Sequence, residues 1–218
     1  AAIAAPADTT RVIVMFKPGA AAAAHAAVSN ARGQVKHQIF GMDAIAVEVP
    51  TNALRGLEHN PNIEFVEEDV KRYPFSGTTP STGSPYLLGQ LVPYGIKMVQ
   101  ADQLPSGDAF AANRKVCIID SGYDLQHEDL NGNSVTGEYD SGTGWWYTDE
   151  NHHGSHVAGT IAAINNSGVG VVGVNSNKKL KLHIVKVFGA EGWAYSSSLT
   201  TAANKCSAAG ANVISMSL

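Results

Sequence analysis

Charged residues are scarce in this 218-residue chain, at 16%, and no run of basic residues offsets a formal net charge of -4. Nucleic acid needs clustered Lys and Arg, so it is not expected as a partner. No stretch approaches the ~20 consecutive apolar residues of a spanning helix, so no membrane is expected either. The first residues, Ala1-Ala2-Ile3-Ala4-Ala5-Pro6-Ala7, lack the charged and apolar regions of a secretion signal. They suit a chain from which one has been removed. Cysteine is limited to Cys117, in an apolar stretch, and Cys206, in a helical one. The simpler reading makes Cys117 a buried free thiol. A Cys117–Cys206 bond stays open but unforced, as does a bond from Cys206 to sequence outside the chain. Neither cysteine has a His placed to make it a nucleophile. His152, His153 and His156 crowd together, yet the His–Glu–His spacing of zinc-protease helices is absent and no Cys cluster completes a site, which argues against a transition metal. What remains is a hydrophobic share of 44%, enough for a core.

The patterning changes along the chain. Up to about residue 75 it predicts a strand at Arg11-Val12-Ile13-Val14-Met15-Phe16, an Ala-rich helix over 20–31 with Gly33 as its cap, and a strand at Ala44–Val49 that turns Ile45, Val47 and Val49 to one side. A short helix N-capped by Thr51 and a strand over 63–68 follow. This β-α-β-α-β order implies a small α+β unit with an antiparallel sheet and helices on one face. Residues 76–85 hold no apolar side chain and read as a linker. Beyond it, strands at 116–119, 182–187 and 212–217 alternate with helices at 153–164 and 198–209. Continuous apolar strands separated by helices imply an α/β, doubly wound parallel sheet. The domain boundaries are therefore 1–75, a linker or extension over 76–89, and 90–218.

In such sheets the reactive groups gather at the carboxyl ends of strands. There stands Asp120, in Val116-Cys117-Ile118-Ile119-Asp120-Ser121-Gly122. His153 opens the later helix, in His153-Gly154-Ser155-His156-Val157-Ala158-Gly159-Thr160. Alone, the Asp reads as a turn cap and the His as an ordinary helix start. Together they are two members of an Asp, His, Ser charge relay, one of the chain orders such triads take. The serine is expected beyond Leu218.

These two segments resemble the Asp and His motifs of the subtilisin-like serine proteases, with Ser155 where the family usually has Thr. Val213-Ile214-Ser215-Met216-Ser217-Leu218 is similar to the family's cleft-lining strand. The resemblance spans residues from about 90 onward and implies a secreted, extracellular serine endopeptidase, with Asp120 orienting His153 as the general base. It further implies that residues 1–75, of the ferredoxin-like type, are an inhibitory propeptide that partners the catalytic domain. Cleavage would fall between Phe75 and Ser76, with a later cut near 86–90 left open. Calcium is the implied cofactor, held by Gln90, Asp129 and Asn166 and by backbone oxygens of Ile164, Val169 and Val171. Gly192-Trp193-Ala194 and Ser217-Leu218 would flank an extended protein or peptide substrate. Trp145-Trp146-Tyr147 reads first as aromatic loop packing and second as cleft lining. The rest of the catalytic domain is expected on a second chain. The rival reading is a non-catalytic protease inhibitor or folding chaperone.

Overall fold

A computed structural model of the chain describes residues 8–74, 90–104, 110–166 and 169–218. The expected Phe75–Ser76 cut and the 76–89 linker lie outside the described residues. Two compact units are present.

The first unit carries β1 (Thr9–Phe16), α1 (Ala21–Asn30), β2 (Gln34–Gln38), β3 (Ala44–Pro50), α2 (Leu54–Glu58) and β4 (Ile63–Glu68). The strands form one sheet in the order β2-β3-β1-β4, and every pairing is antiparallel. Period-two alternation places Val12, Val14 and Phe16 beside Ile45, Val47 and Val49, and Ala24, Val28 and Leu57 of the helices close that core. β2 is absent from the sequence expectation because Gln34-Val35-Lys36-His37-Gln38 is nearly all polar, as an edge strand can be. Two expected caps are replaced. Arg32, not Gly33, takes the left-handed turn after α1, with φ 58°, while Gly33 packs where a Cβ would press on Val28 and Val49. Thr51 gives its hydroxyl to the Asp8 carbonyl rather than capping a helix.

This unit also takes in Tyr195–Asn204, the front of the helix Ser196–Ala208. Buried Asp69 accepts hydrogen bonds from the Ser197 N–H (2.9 Å) and hydroxyl (2.8 Å) and from Arg11 Nε (2.8 Å). A carboxylate at a helix start satisfies amides that have no partner within the helix and matches its dipole. The Arg11 guanidinium in turn lies 3.6 Å from the centre of the Tyr195 ring.

The second unit contains α3 (Tyr94–Met98), β5 (Lys115–Asp120), β6 (Ser134–Tyr139), α4 (His153–Ala162), β7 (Lys181–Lys186), the helix Ser196–Ala208, hereafter α5, from Lys205 onward, and β8 (Val213–Met216). The sheet order is β8-β5-β7-β6, and all pairings are parallel. β6 escapes the sequence pattern because Ser134-Val135-Thr136-Gly137-Glu138-Tyr139 has no apolar run. Side chains of β5 alternate between two faces. Ile118 packs in one cluster with Ala158 and Ala162 of α4. Cys117 points the other way and is bonded to Cys206 of α5, with Cα atoms 5.6 Å apart. Helices therefore cover both faces, and the free-thiol reading of Cys117 is overturned. The reason is tertiary: the end of α5 brings Cys206 to Cys117 across 89 residues of sequence, which no local pattern reveals.

Candidate active site

The same alternation that sends Ile118 toward α4 sends Asp120 there too. The chain returns with His153 as the first residue of that helix. His153 Nδ1 lies 2.8 Å from Asp120 Oδ1 and 2.9 Å from Oδ2. Facing a carboxylate on that side, the ring carries its proton on Nδ1, which leaves Nε2 able to accept one. The Asp120 side chain is fully buried and that of His153 nearly so. Burial raises the Asp120 pKa above its ordinary value, an effect that the hydrogen bonds from His153 and from the Ser121 N–H (2.7 Å) only partly offset. Two glycines make the approach close. A Cβ on Gly154 would overlap the Gly122 backbone, and one on Gly122 would overlap the Thr148 carbonyl.

The turn before α4 is held from below. Asp149 Oδ1 accepts from the His152 N–H (2.9 Å) and the Ser121 hydroxyl (2.8 Å). Its Oδ2 accepts from the Ser155 N–H (2.7 Å) and hydroxyl (2.6 Å). Ser121 Oγ in turn accepts from the Gly154 N–H at 2.9 Å. Sequence reasoning passed over Asp149; an acid just ahead of a helix start was the available signal. Lys186 of β7, in register with Asp120, is fully buried and bonds the Thr148 carbonyl and the Glu150 carboxylate. The Lys186 bond holds the Glu150 carboxyl below the usual range. Among the aromatics, Trp145 stacks on Tyr147 at 5.7 Å and Trp146 meets Tyr147 edge-on at 5.4 Å, which is the loop-packing arrangement.

A buried strand-end Asp holding the His of a following helix, on a parallel sheet, is the frame in which comparison with known proteins decides. Residues 111–218 match the model of the subtilase family. The chain belongs to the subtilase family. Subtilisin E of Bacillus subtilis is 36% identical over 165 residues, which are 76% of this chain and 39% of the relative. A psychrophilic subtilisin-like protease from Pseudoalteromonas sp. AS-11 is 54% identical over 59% of this chain and 30% of its own, with a TM-score of 0.55. Fervidolysin from Fervidobacterium pennivorans, at 20% identity, covers all of this chain and 36% of its own with a TM-score of 0.67, and speaks to the fold alone. The chain thus spans well under half the length of these relatives.

For a subtilase, the residues suggested for calcium were Gln90, Asp129, Ile164, Asn166, Val169 and Val171, and five of them converge. Gln90 Nε2 is 2.7 Å from the Ile164 carbonyl, 2.9 Å from Asn166 Oδ1 and 3.3 Å from the Val171 carbonyl. Asn166 Nδ2 and the Val171 N–H reach the Asp129 carboxylate at 3.3 and 2.8 Å. A bridge between Leu91 and Val171 holds Gln90 against the loop. Val169 is the one candidate these bonds do not reach. Three oxygens aimed at one point outnumber the two protons of an amide nitrogen, and turning the Gln90 amide over would add a further oxygen. Such a set, one carboxylate among neutral oxygens, fits a hard cation. Among the described residues no group of three or more His, Cys, Asp and Glu occurs that could hold a metal ion.

The suggested substrate residues lie beyond the same strand ends. Met216 of β8 pairs with Ile119, so Ser217 comes level with Asp120 and Leu218 lies one residue past it. After β7, Gly192 turns at φ 67°, Trp193 Nε1 donates to Glu191 Oε2 at 3.1 Å, and buried Ala194 opens a two-residue strand. A cavity of about 830 Å³ sits elsewhere on α4, lined by Ser155, His156, Gly159 and Thr160 together with α3 and residues 171, 172 and 174, but by neither Asp120 nor His153. No helix among the described residues is long and apolar enough to cross a membrane.

Proposed function

We propose that the chain is the propeptide and the N-terminal part of the catalytic domain of a secreted, subtilisin-type serine endopeptidase in its pro-form. The observation that carries this reading is the buried two-oxygen contact of Asp120 with His153 Nδ1. The carboxylate fixes the tautomer and stabilises the imidazolium. His153 Nε2 takes the hydroxyl proton of a serine outside residues 1–218 as that oxygen attacks the peptide carbonyl, then returns it to the leaving amine. Gly192, Trp193, Ala194, Ser217 and Leu218 are the proposed walls for an extended polypeptide, which would add as a strand. The β-α-β-β-α-β order of the first unit is of the ferredoxin-like kind and supports the propeptide reading, with Phe75–Ser76 as the cut. A disulfide suits a protein matured in an oxidising compartment.

The test uses the complete protease that carries this chain. A fluorophosphonate probe is expected to label one serine, mapped by peptide mass spectrometry to sequence outside residues 1–218. Hydrolysis of peptides without any labelled serine, or with the label inside 1–218, would falsify the proposal.

Calcium is proposed for the cluster of Gln90, Asp129, Ile164, Asn166, Val169 and Val171. When bound it supplies positive charge that ties the loop to the chain at Gln90. Binding only to the folded form adds about 2.7 kcal/mol at roughly a hundredfold excess over its Kd. Thermal unfolding in calcium against chelator is expected to show that gain, and Asp129→Asn to erase most of it. Equal midpoints with and without calcium would count against the site.

A further inference from the structure

The first turn of α4 has no cap of its own. His152, the residue ahead of it, adopts a left-handed conformation with φ 69° and makes no side-chain cap bond. The amides of His152, Gly154 and Ser155 instead end on two side chains, Asp149 and Ser121. Ser121 follows Asp120 directly, and its own hydroxyl proton goes to Asp149. One buried carboxylate therefore accepts four hydrogen bonds and joins the end of β5 to the start of α4. His153 sits between two of the amides so fixed. Its ring meets Asp120 only if strand end and helix start keep their mutual position.

We propose that Asp149 is a positioning residue for the catalytic base, acting through Ser121 and the first turn of α4. The inference rests on the protease reading above. Its carboxylate, not merely an oxygen at that place, is required. All four bonds come from donors, two to each oxygen, so an Asn here would turn an N–H₂ against two of them. Losing half of the clamp lets α4 shift against β5, and misplacement of a reacting group by about 1 Å costs about 10²-fold in rate.

The experiment compares Asp149→Asn with the parent in the complete protease, with rates normalised to titrated active serines. The expected result is a kcat lower by about 10²-fold at unchanged KM, since Asp149 touches no substrate residue. The Nδ1 proton resonance of His153 should also move or broaden. An unchanged kcat per active site overturns the inference, whatever happens to the melting temperature, because a purely structural role would lower stability and leave the surviving sites intact. If Asp149→Asn does not fold, Ser155→Ala removes the hydroxyl bond to Asp149, along with the one that Ser155 Oγ accepts from the Asp124 N–H, and should lower kcat less but in the same direction; no change there overturns the inference equally. An inactive parent would count against the protease reading itself. The His153 resonance would then decide alone, and one indifferent to Asp149→Asn would refute the positioning role.

Discussion

Replacing Asp120 with Asn should make the protein sturdier while stopping its chemistry. In the complete protease, kcat is expected to fall about 10⁴-fold, the loss that follows when the triad acid no longer fixes the imidazole tautomer. Asn keeps an oxygen for the Ser121 N–H, but its N–H₂ faces Nδ1 and drives the ring proton to Nε2. Stability should move the other way. Burial raises the Asp120 pKa, so the folded chain holds that proton more tightly than the unfolded chain does. The resulting stabilisation is complete below the ordinary carboxylate value and is lost as pH climbs through the raised one. At pH 7 the ionised carboxylate is a net burden on the fold, which Asn removes. The unfolding midpoint of Asp120→Asn should exceed that of the parent at pH 7, with the two converging in acid. A variant that melts earlier than the parent at neutral pH would show that the His153 bond outweighs burial, contrary to this expectation.

Removing the Cys117–Cys206 bond is expected to have the largest effect on stability. It closes a loop with a sequence separation of 89, for which the loss of denatured-state freedom corresponds to about 4–5 kcal/mol. For a chain of this size that lowers the melting midpoint by roughly 10–18 °C. The double variant Cys117→Ala, Cys206→Ala, or the reduced parent, would be followed by thermal and denaturant unfolding. A loss below about 1 kcal/mol would mean that the unfolded chain is already confined, or that the native bond is strained. Because the bond lies on the face of β5 opposite Asp120, kcat should survive wherever the variant remains folded.

Asp120 and His153 were legible in the sequence because each sits at the end of an element that local patterning defines. The spacing of the two motifs then supplied the rest. Strands β2 and β6 were not legible: both lie at sheet edges, where one side chain in two need not be apolar and polar runs such as Gln34–Gln38 are tolerated. The disulfide was hidden because its partners lie 89 residues apart and meet only once the end of α5 is in place. Asp149 was hidden for a related reason, since its partners come from residue 121 and from the helix it precedes. The cluster around Gln90 was foreseen largely by resemblance; only the fold brings Gln90 to the loop at Ile164.

The near-contact of Gly154 with Gly122 bears on how such sites can be found and altered. Neither glycine performs chemistry, yet a Cβ at 154 would overlap the Gly122 backbone just past the Asp, and one at 122 would overlap the Thr148 carbonyl ahead of the His. The two positions are separate constraints on the same approach, so a substitution at one is not rescued by keeping the other. A library that randomises residues around His153 should therefore return glycine at 154 among its active clones, whatever substrate it is selected on.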